Sequence, residues 1–227
     1  MKVKFGLVIV DGSGKLGGHV VTQTKAGKAI RTKATPVNRS SNTQQGVKAI
    51  FSANAQAFRS LTAAQITAWN AAAKDWTVKN YFGDVVQLSG MALYQRLNSN
   101  LAKVGAAAIA NPPTQVAIGA VAALVITTLT AAVMTATFTP SPVTAGFALL
   151  WEATRSVSPG VSYVKNQFRV IDKTAAAGTS PADLYAGYAA VFGAPILGKK
   201  VYLRGTLVNI TTGQTGVSAQ ASLVVTA

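Results

Sequence analysis

Residues 132–139, AVMTATFT, alternate strictly: Met134, Ala136 and Phe138 fall on one side and Thr135, Thr137 and Thr139 on the other. That period of two belongs to a half-buried β-strand. The reading matters because the octet nearly closes an uncharged run, VAIGAVAALVITTLTAAVMTATF (116–138), about as long as a membrane-spanning helix. The run is dense in Thr and Val, and Pro112, Pro113 and Pro140 flank it. It reads as strands, not as a membrane helix, and no membrane contact is expected.

Strand patterns continue toward the C-terminus. In GFALLWEATR (146–155) Phe147, Leu149, Trp151 and Ala153 share a face, and in SYVKNQFRVI (162–171) Val164, Phe168 and Val170 do. KKVYLRGTLVNI (199–210) and VSAQASLVVT (217–226), joined by TTGQTG, predict a closing hairpin. One helix interrupts them, with Ser180, Pro181 and Asp183 as its start and Gly193 as its stop after Phe192. Residues 115–227 are therefore expected to form an antiparallel β-sandwich.

Upstream, AIANPPTQ (108–115) reads as a linker. Before it lies a helix that Ser89 caps and Gly105 ends, with Met91, Tyr94, Leu97, Leu101 and Val104 facing inward and Arg96, Asn98 and Asn100 solvated. A β-prone piece, YFGDVVQLSG (81–90), leads into it. Two earlier helices are predicted. The first follows the cap-competent cluster RSSNTQQ (39–45) and places Val47, Ile50, Phe51, Phe58 and Leu61 at helical spacing. The second opens on a Thr62/Gln65 capping box, with Ile66, Trp69, Ala73 and Trp76 along one side. Residues 1–35 read as β, with VKFGLVIV (3–10), HVVTQT (19–24) and KAIRTKAT (28–35) as strands and KAGK (25–28) as a turn. The expected fold class is α+β: a basic β-hairpin and three-helix domain over 1–110, then a sandwich over 115–227.

Composition narrows the function. Lys and Arg number 21 against 6 Asp and Glu, a formal net charge of +15. Residues 1–110 carry 14 basic and 3 acidic residues, and 111–227 carry 7 and 3. Such a field attracts polyanions or an acidic protein surface, chiefly to the front half. There is no cysteine, which excludes disulfides, thiol catalysis and zinc ribbons. The six-residue apolar run before Asp11 is too short for a signal-peptide core.

DGSGKLGGHV (11–20) matches the G-x-G-x-x-G spacing of dinucleotide sites at Gly12, Gly14 and Gly17. That site needs a helix after the third glycine and an acidic residue about 20 positions on. Strand-like HVVTQT follows instead, and no Asp or Glu occurs between Asp11 and Asp75. A phosphate loop fails because Ile9 and Leu16 stand where Gly and Ser or Thr are required. The glycines read as a tight hairpin. His19 is the lone histidine, and no G-x-S-x-G elbow or paired carboxylates appear, so neither enzyme activity, cofactor nor metal is expected. The candidate functional residues are the cations Lys15, Lys25, Lys28, Arg31, Lys33 and Arg39, read as a partner-docking set.

The run GKLGGHVVTQTKAGKAIRTKATPVNRSSNTQQGVKAIFSANAQAFRSLTAAQITAWNAAA, with Gly17, Gly18, Arg31, Pro36, Asn38, Thr43, Gln45, Leu61, Thr62, Gln65, Trp69 and Asn70 carrying the match, resembles a family of tailed-phage and prophage proteins over about the first 105 residues. In that family a glycine-rich hairpin precedes R-x-K-x-x-P-V-N, N-T-x-Q and L-T-x-x-Q-x-x-A-W-N elements. The sandwich half resembles fibronectin type III and immunoglobulin-like modules in architecture, without their cysteine pair. The resemblance implies a virion structural component: an auxiliary capsid or decoration protein, or one associated with the head–tail connector. Its partners would be capsid or connector subunits, in a homo-oligomer or bound to a lattice. The competing reading is a polyanion-coating protein packaged with DNA.

Overall fold

The structure is a computed structural model and describes residues 2–3, 12–24, 27–34, 41–80 and 82–227. Lys25, Pro36, Asn38, Arg39 and most of the strand expected over 3–10 lie outside them. The protein is mixed α+β, with two compact units, Met1–Gln95 and Arg96–Ala227. This division falls inside the third helix, while the composition shift that suggested a boundary lies at 110–115.

In the first unit β1 (Lys2–Val3), β2 (Gly14–Leu16), β3 (His19–Thr24) and β4 (Gly27–Thr32) form an antiparallel sheet of order β1-β4-β3-β2. Helices α1 (Asn42–Arg59) and α2 (Ala63–Ala72), the hairpin β5 (Thr77–Lys79) and β6 (Val85–Gln87), and the start of α3 (Gly90–Val104) follow. The predicted box on α2 is present: Gln65 N–H donates to Thr62 Oγ1 at 3.3 Å and Thr62 N–H to Gln65 Oε1 at 3.0 Å. Ser41 and Gln44 make a second box at the head of α1. Two of four orphan amides are thereby paired at each helix start.

Trp69 is buried on α2 and Ile66 half-buried, while Ala73 and Trp76, expected on the same helix, are buried just past its end at Ala72. The Tyr94 ring meets Trp69 edge-on at 5.2 Å and Phe58 at 5.3 Å, an arrangement favoured by the ring quadrupoles. Gly90 brings α3 so near α2 that a Cβ there would meet the Asn70 backbone nitrogen at 2.8 Å. The first helix departs from expectation. Val47 and Phe51 are 64% and 58% exposed, so its apolar stripe is only partly internal.

The second unit holds two antiparallel sheets. One is β10 (Arg169–Thr174), β9 (Phe147–Ala153), β12 (Lys200–Asn209) and β13 (Ala219–Val224), in that order. The other is β11 (Ala182–Asp183), β8 (Met134–Thr139) and β7 (Ala123–Leu129). The alternating residues Met134, Ala136 and Phe138 pack across the interior against Leu149, Trp151 and Ala153, which makes the pair a sandwich. Trp151 is fully buried, its ring edge-on to Phe138 at 5.6 Å and its indole N–H bonded to Thr174 Oγ1 at 2.8 Å. Burying a ring of that size contributes about 4–6 kcal/mol of gross transfer free energy. Gly205 pairs with Trp151 across the strands and leaves the room that the ring occupies. Among the described residues no helix is long and apolar enough to cross a membrane.

Three local expectations are corrected. The helix after Ser180 is α4 (Tyr185–Phe192): it ends at Gly193 as expected, but starts later because Ala182 and Asp183 pair with β8. Val164 and Phe168 lie in the loop before β10, where they bury with Val157 and Tyr202. Asn98 is not solvated. It is 1% exposed, and its carboxamide clamps Ile109, accepting from the backbone N–H at 2.8 Å and donating to the carbonyl at 3.3 Å.

The end of α3 belongs to the second unit. Its Gly105 has φ +68 and Ala106 N–H reaches back to the Leu101 carbonyl at 2.9 Å, a left-handed helix stop. Val104 packs with Ala148, Leu150 and Val208, and the Lys173 ammonium donates to the Val104 carbonyl. Strand β9 is thus covered on both faces.

Candidate docking surface

The glycine-rich stretch builds a sheet edge. Gly14 has φ +116 where β2 opens, and Gly17, at φ +55, turns the chain so that Leu16 pairs with His19. A left-handed residue in a two-residue connection matches the twist of a hairpin. The residues after Gly17 form β3 where a dinucleotide site requires a helix.

Register then sorts the cations. Lys15 pairs with Val20 and Val20 with Arg31, so all three side chains share a face of the sheet. Lys33 extends that row, its N–H bonded to the Gly18 carbonyl at 2.8 Å. With strands about 4.8 Å apart and residues about 3.3 Å along them, Lys15 and Lys33 each lie within about 10 Å of Arg31. All three are exposed, and among the described residues none is in an ion pair. No carboxylate stands on β2, β3 or β4. Lys28 departs from this group: it pairs with Gln23 and occupies the opposite face, half-buried, with Leu16, Val21 and Ile30. Lys25 and Arg39 lie outside the described residues.

The apolar part of the same unit was not legible as a site. Val47 and Phe51, one helical turn apart on α1, look like core positions in sequence, and the structure leaves both exposed.

No family model matches the chain, and no curated protein matches it. The chemistry of the surface therefore rests on its own residues.

The carboxylates of the second unit are engaged locally. Glu152 Oε2 accepts from Arg204 Nε at 2.8 Å, and the Arg204 guanidinium lies 4.4 Å from the Phe168 ring centroid. Asp183 Oδ1 accepts from Tyr185 N–H at 3.0 Å and Asp172 Oδ1 from Lys173 N–H at 2.7 Å. Among the described residues no group of three or more His, Asp or Glu side chains gathers to hold a metal ion.

Proposed function

We propose that the protein is a non-enzymatic structural component of a bacteriophage virion, an auxiliary capsid or decoration protein or a head–tail-associated one, docked through its basic N-terminal half. The N-terminal motifs supply the virion setting by resemblance. The observation that carries the docking reading is the sheet face bearing Lys15, Arg31 and Lys33, with no carboxylate on β2, β3 or β4. A partner surface rich in Asp and Glu is complementary to it, and exposed Val47 and Phe51 on α1 offer a partner apolar surface in the same unit. The sandwich, read as an immunoglobulin-like module, faces neighbours or solvent.

Charge reversal tests this. Arg31→Glu with Lys33→Glu is expected to abolish incorporation into particles while leaving the fold intact, and unchanged incorporation refutes the docking face. The second reading, DNA coating, is favoured by the net charge of +15. Titrating an arbitrary duplex over a salt series separates the two. Phosphate contacts by this face alone give a log–log slope of about −2.7, and affinity that persists at physiological salt with that slope or a steeper one selects the DNA reading.

A further inference from the structure

The second unit carries a trough that the docking surface does not use. It lies between the loop following β9 and the segment joining α4 to β12, as two open clefts of about 460 Å³ and 400 Å³ that share Arg155, Gln167 and Phe192. Its walls are tied together: Ile196 N–H donates to Ser156 Oγ at 3.2 Å, and Ser156 Oγ lies 3.3 Å from the Tyr188 hydroxyl. We propose that this trough binds an extended peptide segment of a partner protein in which acidic and apolar side chains alternate.

Three features point to that occupant. The first is charge: Arg155, Arg169 and Lys199 line the trough and no carboxylate does. The Arg169 guanidinium is held by the Asn166 and Phe168 carbonyls at 3.3 and 2.8 Å, and Lys199 Nζ donates to Ser158 Oγ at 3.4 Å. Both retain donors for carboxylates.

The second is an unmet acceptor. Gln167 Oε1 is buried with no hydrogen-bond donor among the described residues. A buried carboxamide oxygen in that state is costly, and Gln167 lines both clefts, so turning its side chain outward to accept a peptide N–H relieves that cost.

The third is the apolar lining. Val157, Val161, Phe192 and Ile196 border the cations, and Ile196 is 57% exposed. A nucleic acid would want several aromatic platforms, and Phe192 is the one aromatic ring in either lining. Aliphatic side chains of a peptide match this lining, and the hydroxyls of an acidic saccharide do not. The inference does not depend on the virion reading.

The test is fluorescence anisotropy of the full chain with the labelled hexapeptide EVELEV at physiological salt, beside hexaglutamate, hexathymidylate and hexagalacturonate. EVELEV is expected to bind at least about tenfold more tightly than the other three. Arg155→Gln with Lys199→Gln is expected to weaken it at least about tenfold, since each removes a charge-assisted hydrogen bond. Lys74→Gln with Lys79→Gln, which removes the same charge from the first unit, is expected to leave it unchanged. Gln167→Leu should weaken EVELEV without lowering the melting temperature, which separates lost contact from lost fold. Equal binding of any comparator, or wild-type affinity in the Arg155/Lys199 variant, overturns the proposal.

Discussion

Asn98→Ala is expected to destabilise the second unit by about 3–4 kcal/mol. The side chain is 1% exposed and makes both halves of a bidentate contact with the Ile109 backbone, at 2.8 and 3.3 Å. Each such bond contributes about 1 kcal/mol net, and the half-buried amide and carbonyl left behind add about 1–2 kcal/mol of unmet desolvation. Alanine restores neither partner. Asn100→Ala serves as the scale, since Asn100 makes one bond, to the Gly213 carbonyl at 3.0 Å, from a half-buried position. It should cost about 1 kcal/mol. Urea unfolding followed by circular dichroism gives both values, and amide exchange at Ile109 reports the clamp directly, because its N–H loses protection in Asn98→Ala but keeps it in Asn100→Ala. An Asn98→Ala value within about 0.5 kcal/mol of wild type, with Ile109 still protected, would refute the clamp.

Thr62→Ala removes the acceptor for Gln65 N–H and is expected to cost about 1 kcal/mol in urea unfolding of the first unit; no loss there would mean that the box is not formed in solution. Burial raises the Tyr188 phenol above its ordinary value of 10.0, and Tyr94 is raised for the same reason. Both are held neutral in the folded state, so the stability they contribute is complete below about pH 10 and is lost as the pH climbs through the raised values. Tyr188→Phe should flatten that alkaline loss in melting curves taken from pH 8 to 11, and an unchanged slope would show that Tyr188 is not the titrating group. Val47→Ser with Phe51→Ser should leave the melting temperature within a few degrees of wild type but reduce particle incorporation, whereas a large fall in melting temperature would place those residues in the core.

Much of the fold was legible because its signals are local. The alternation at Met134, Ala136 and Phe138 reports a face directly, whereas the helical spacing that placed Trp69 on the inner side of α2 ran on to Ala73 and Trp76, which are buried after the helix has ended. Thr62 and Gln65 find each other within one turn, and Gly105 and Gly193 stop helices through their own backbone freedom. Ser41 and Gln44 have the same spacing as Thr62 and Gln65, and their box was legible but masked by the surrounding polar residues.

The candidate surface was half legible. Alternation alone put Arg31 and Lys33 together and Lys28 opposite, but Lys15 joined them only through a cross-strand register set by the Gly17 turn. Exposure of Val47 and Phe51 has no sequence signature, because an apolar helical stripe looks the same whether or not a neighbour covers it.

The sequence by itself determined the α+β class, the helices α1 to α3 and the basic bias of the front half, since propensity, capping and charge are properties of neighbouring residues. Only the tertiary structure decided that Asn98 is a buried clamp, that Ala182 and Asp183 pair as a strand before α4, and that Arg155, Gln167 and Lys199 line one trough. Those outcomes depend on which distant segments meet, and the free energy of such contacts is not written in any local window of the chain.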